Sequence, residues 1–124
     1  MKTAHVMFAC GLLACSVPSL AQELEPAAAR GMTKFQHSCA PCHGRGPGDD
    51  GRALLPGTDA LRLKYQGSLP AVLEDRTDLS AEAISVFVRQ GSMSMPPFRK
   101  TELMDAEIVD IAAYLRYSST KAAQ

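Results

Sequence analysis

The chain contains no tryptophan, three tyrosines and four phenylalanines, and its 13 lysines and arginines are matched by 13 aspartates and glutamates. So few aromatic rings leave no stacking platform for bases or sugars. The balanced charge provides neither the basic surplus of a nucleic-acid binder nor an acidic, solvating tail. Long apolar runs are also scarce. The main one, Val6 to Val17, is shorter than the roughly 20 residues a transmembrane helix needs. With 124 residues, 46% of them apolar, the expectation is one globular domain around a single small core.

The apolar run follows Lys2 and leads into Ser19-Leu20-Ala21, small residues where a signal peptidase reads. This pattern predicts a leader over 1–21, cut between Ala21 and Gln22, and an exported domain over 22–124 with no transmembrane segment in the mature chain. An alternative stays open. Leu12 to Cys15 loosely matches a lipoprotein signal in which Cys15 would carry the lipid, although Leu13 is bulkier than that signal favours.

Cysteine is scarcer than its count of four suggests, because Cys10 and Cys15 fall within the leader. Cys39 and Cys42 remain, in the stretch SCAPCHG. A disulfide between them would close too short a loop to constrain the unfolded chain much. A zinc site needs four ligands, and the only other histidine after the leader is His37. A thioredoxin-like pair would follow a β-strand, and no alternating β-branched run precedes it. The remaining reading is C-x-x-C-H as a site of covalent c-type haem attachment. Two thioethers would fix the porphyrin against one turn of chain and hold His43 beneath the iron as proximal ligand.

A low-spin haem iron takes a second axial ligand, and a soft, neutral thioether raises its potential. Met95 stands before Pro96-Pro97 in an irregular loop, and proline keeps the residue before it extended. Met93 shares the loop but lacks the following proline, so Met95 is preferred. Met32 and Met104 lie in or near helical patterns and are expected to fill the core.

CAPCHG, followed much later by GSMSMPPF and a terminal LMDAEIVDIAAYLRY, resembles the class I c-type cytochromes, small mono-haem electron carriers of bacteria. The likeness covers essentially the whole mature chain. It implies an all-α cytochrome c fold of about four helices around one haem, with the N- and C-terminal helices crossing. It also implies one covalent haem c on Cys39 and Cys42, His43 and Met95 as axial ligands, and single-electron transfer in the periplasm by a carrier that is not itself an enzyme. One C-x-x-C-H and no internal repeat agree with a single haem. The family further implies that a proline carbonyl accepts from the free N–H of His43, Pro56 fitting better than Pro47, and that haem propionates are held near Arg62, Lys64, Tyr65 and Arg76. The segment LRLKYQGSLPAVLEDRTDL is similar to the cytochrome subunits of flavin-dependent oxidases of phenols such as cresol and eugenol hydroxylases. That likeness implies redox protein partners: a dehydrogenase or flavoprotein as donor, and another carrier or an oxidase as acceptor.

The residues themselves predict the helices. Gly31, Phe35 and Cys39 recur every four positions on one face of a first helix after Pro26. Ile108, Ile111, Ala112 and Leu115 form the apolar stripe of a last helix, N-capped by Asp105, with Tyr114 near Phe35 and Gly31 at the crossing. Gly44 to Thr58 reads as a long loop. A helix is expected from Ser68-Leu69-Pro70, and another after the N-cap Ser80, with Ala83, Ile84, Phe87 and Val88 in the core and Gly91 as terminator.

Two other functions fit parts of this pattern. A haem enzyme or gas sensor would let Met95 leave the iron, although no acid/base pair flanks that loop. A haem-free thiol oxidoreductase would use CAPC alone.

Overall fold

Pro26 opens α1 (Pro26–Ser38), where its fixed φ suits the first helical position and its missing N–H is not needed. The computed structural model describes residues 24–124, so the expected leader over 1–21 and the alternative at Cys15 lie outside the described residues. In chain order there follow α2 (Ala40–His43), α3 (Pro56–Tyr65), a 3-10 turn at Leu73–Asp75, α4 (Ala81–Gln90) and α5 (Asp105–Ala122). Among the described residues there is no strand, only an isolated bridge between Ser92 and Met95. The fold is the all-α arrangement expected from the sequence.

Helices α1 and α5 make the most extensive pairing in the fold. A Cβ on Gly31 would stand 1.9 Å from the Asp110 carbonyl oxygen, so only glycine lets the two backbones approach this closely. Phe35 and Tyr114 meet beside the crossing with ring centroids 5.4 Å apart, and Ile108, Ile111, Ala112 and Leu115 are all buried. Arg30 grips Asp110 through two 2.8 Å hydrogen bonds, and Lys34 pairs with Glu107 at 2.8 Å, so ion pairs flank the apolar seam.

Several expectations shift. Met104, not Asp105, is the N-cap of α5, and its backbone N–H donates to the Glu107 carboxylate at 2.7 Å. Asp105 is the first helical residue and faces Lys100 and Arg89 instead. Met32 and Met104 are 39% and 56% exposed, so neither fills the core. In α4, Ser80 caps as expected, accepting from Ala83 N–H at 3.2 Å, and Gly91 ends the helix at φ +71°. Val88 is buried and Ile84 packs on the core, but Phe87 is largely exposed.

The loop read over Gly44–Thr58 stops early, because Pro56 already begins α3. That helix ends at Gln66, in the left-handed region at φ +47° and followed by Gly67 at φ +88°. Ser68 does not open a helix. Its backbone N–H and hydroxyl both donate to the Tyr65 carbonyl, at 2.9 and 2.6 Å, and so close α3. The chain beyond it forms only the 3-10 turn, whose Glu74 is buried against Tyr114 of α5.

Candidate haem attachment site

Helix α1 passes into the single turn of α2 almost without a break. Cys39 N–H donates to the Phe35 carbonyl at 2.8 Å, and the Cys39 carbonyl then accepts from both Cys42 (3.1 Å) and His43 (2.9 Å). The two thiols are therefore fixed one turn apart on the end of a helix that is itself anchored in the core. Cys39 is half-buried and packs on the core cluster, Cys42 is exposed, and no disulfide joins them. Burial, reinforced by Cys42, pushes the Cys39 thiol up to about 11.

His43 is half-buried, and burial lowers its pKa. Its Nδ1 is enclosed without a hydrogen-bond partner. The first turn of α3 presses directly on this ring. A Cβ on Gly57 would stand 2.7 Å from the imidazole Cε1, 2.8 Å from Nδ1 and 2.8 Å from the Cys42 carbonyl oxygen. Thr58, 1% exposed, donates its hydroxyl to the Gly44 carbonyl at 3.0 Å and so locks α3 to the turn that carries His43. Nδ1 thus faces Gly57, next to the expected Pro56, but no hydrogen bond to the Pro56 carbonyl is formed.

Met95 lies in the segment between α4 and α5. Ser92 and Met95 exchange backbone hydrogen bonds of 3.0 and 2.9 Å across Met93 and Ser94. This tight turn separates the two methionines. Met95 is half-buried and packs on the core cluster, whereas Met93 is fully exposed at φ +52°. Cys39 and Met95, 56 positions apart in the chain, therefore rest on one cluster that includes Phe35, Val88 and Leu103.

The residues considered for propionates are largely engaged. Arg62 pairs with Asp59 at 2.8 Å, and Lys64 lies 5.3 Å from the Tyr65 ring centroid. Arg76, 7% exposed, stacks 4.9 Å from the same centroid while its Nε donates to Asp78 at 2.8 Å. Grooves of about 470 Å³ between α1 and α5 and about 360 Å³ between α4 and α5 are lined by none of Cys39, Cys42, His43 or Met95.

The sequence reading missed Thr58, Glu74 and Arg89. Thr58 sits where the chain reads as loop, Glu74 follows the opening of the helix expected from Ser68-Leu69-Pro70, and no local pattern singles out Arg89. The proline at the first position of α3 was the available signal for the first of these.

Among the described residues no three His, Cys, Asp or Glu side chains converge as a metal-binding group, which leaves a zinc site without ligands. The thiol pair, the enclosed imidazole and the half-buried thioether are the donors a covalent haem requires, and they fit it. No helix among the described residues is long and apolar enough to cross a membrane. No curated protein matches the chain. The family model described as cytochrome c oxidase, cbb3-type, subunit III matches residues 26–115, which is more than half of the sequence. The chain therefore belongs to this family of c-type cytochrome domains, whose chemistry is haem-based electron transfer.

Proposed function

We propose that this protein is an exported, mono-haem single-electron carrier. Cys39 and Cys42 would hold the porphyrin as thioethers, and His43 and Met95 would be the axial ligands of its iron. The haem supplies a one-electron couple; the chain supplies attachment, axial donors and an apolar surround. The observation that carries this reading is the placement of Cys39 and Met95, 56 positions apart in the chain, on the same core cluster. His43 and Met95 together would leave the iron no open site for a substrate, so the chain would act as an outer-sphere electron carrier rather than an enzyme.

Charge balance gives little long-range steering, so docking falls to exposed apolar surface, such as that of α4, where Phe87 is 42% and Val86 50% exposed. We place a dehydrogenase or flavoprotein, such as a phenol-oxidising flavoenzyme, at the donor end. A second carrier or a terminal oxidase receives the electron.

Thiol chemistry is disfavoured by the same geometry. A catalytic thiol needs a depressed pKa, whereas burial raises that of Cys39.

The test is a spectrum of protein expressed with haem-attachment machinery, recorded after denaturation in alkaline pyridine and, natively, under carbon monoxide. Haem retained through denaturation, with no native shift on carbon monoxide, is the expected result. Ready carbon monoxide binding would point to a sensor or haem enzyme, and a colourless protein would return CAPC to thiol chemistry.

A further inference from the structure

Arg89 sits in the last turn of α4 and reaches across the segment that carries Met95. Its Nη1 donates to the Phe98 carbonyl at 3.0 Å, and its Nη2 to the Leu103 carbonyl at 2.7 Å and to the Asp105 carboxylate at 2.6 Å. Beside it, Phe98 N–H donates to the Val88 carbonyl at 2.7 Å. The other end of the segment is fixed by Gly91, whose φ of +71° turns the chain and whose hypothetical Cβ would lie 2.8 Å from the Met95 carbonyl oxygen. Nothing else among the side-chain hydrogen bonds ties residues 98 and 103 to α4.

We infer that Arg89 is the positioning residue for Met95: its guanidinium holds both carbonyls that follow the Met-Pro-Pro turn and so keeps the thioether directed at the haem iron. This rests on the reading of Met95 as axial ligand. The role is geometric. The guanidinium is a rigid planar fork that spans two carbonyls and a carboxylate at once, whereas a lysine ammonium is a compact point charge on a flexible stem. Its side chain is only 20% exposed, so the clamp is sheltered from competing water. Releasing it leaves the segment between α4 and α5 held to α4 by the Phe98 amide and by the packing of Met95, Phe98 and Leu103 on the core, and a loosened segment presents its sulfur less often.

The experiment uses the haem-loaded protein. Carbon monoxide affinity of the ferrous form and the methionine-to-iron charge-transfer absorption of the ferric form are measured for wild type, Arg89→Lys, Arg89→Gln, Asp105→Asn and Lys100→Gln, well below each variant's unfolding temperature. Loss of a supporting residue around a metal ligand changes metal-site affinity about 10-fold to 100-fold. Both Arg89 variants are expected to raise carbon monoxide affinity about tenfold or more and to weaken the absorption, with the lysine giving little rescue. Asp105→Asn, which loosens one arm, is expected to act in the same direction more weakly, and Lys100→Gln, which touches only Asp105, to stay at wild type. Should Arg89→Lys and Arg89→Gln fail to fold, Asp105→Asn decides: a carbon monoxide affinity equal to wild type overturns the inference. Folded Arg89 variants with wild-type affinity and absorption overturn it as well, as does full rescue by lysine, which would make the effect one of charge. A wild type that itself lacks the methionine absorption removes Met95 as ligand, a failure read before any variant is compared.

Discussion

The Tyr114 hydroxyl donates its hydrogen to the carboxylate of Glu74, 40 positions earlier in the chain, and both residues are buried. Arg45, two residues beyond His43, approaches the second Glu74 oxygen at 3.7 Å and also hydrogen-bonds Asp75. One carboxylate thus joins the last helix, the 3-10 turn and the haem-attachment turn. Removing the hydroxyl would leave Glu74 short of a donor in a site with little water. Tyr114→Phe is expected to cost about 1.5–3 kcal/mol, the range for hydrogen bonds to charged groups, as measured by denaturant unfolding.

The same contact predicts an alkaline transition. Burial and the Glu74 carboxylate push the Tyr114 hydroxyl from 10 up to about 12. Because the folded value is raised, the contribution is complete below 10 and is lost as pH rises from 10 through 12. A tyrosinate absorbance titration of the protein should show one late step that Tyr114→Phe abolishes.

At the α1–α5 crossing, Gly31→Ala removes a helix-interior glycine, which alone would favour the helix by about 1 kcal/mol. The added Cβ meets the Asp110 carbonyl oxygen at 1.9 Å, where backbone must move. Overpacking, worth about 1–3 kcal/mol or more, outweighs the propensity gain. A lowered melting temperature is expected, and an unchanged or raised one would show that the helices can separate freely.

Two methionine variants separate the roles within one turn. Met93 is fully exposed in the left-handed region, where a Cβ costs about 1–2 kcal/mol. Met93→Gly is therefore expected to stabilise the protein by about 1 kcal/mol and to leave the potential and the carbon monoxide response alone. Met95→Ala should lower the potential and open the iron to carbon monoxide, as loss of a soft axial donor requires. An exchange of these outcomes in voltammetry would assign the ligand to Met93.

Acid should loosen the same helix pair. Arg30 holds Asp110 below the ordinary aspartate value of 3.8, Lys34 holds Glu107 below 4.5, and Lys100 with Arg89 holds Asp105 below 3.8. Each folded value is depressed, so the stabilisation is present above the ordinary value and is lost as pH falls through the depressed one. Melting temperature is expected to drop below about pH 4.5, and less steeply in 1 M salt, where these exposed pairs are screened.

The sequence by itself determined the elements whose signal is local. The C-x-x-C-H spacing put two thiols and an imidazole on one turn, because residues three apart share a helix face. The apolar stripe from Ile108 to Leu115 fixed α5 and its buried face, and Ser80 and Gly91 marked the ends of α4 through their own backbone and side-chain preferences. Local signals misled where a residue type has two uses. Pro56-Gly57 reads as loop, but Pro56 starts a helix and Gly57 makes room for the His43 ring. Ser68 has the chemistry of an N-cap, yet it closes the preceding helix. Met32 and Met104 are apolar but remain exposed, outside the core. Only the tertiary structure decided which charged groups are buried. Glu74 and Arg76 are two among many acidic and basic side chains, and what packs on them includes Tyr114, 40 positions after Glu74, and the ring of Tyr65. Burial of a charge depends on what packs over it, and a chain read in one dimension carries no record of that.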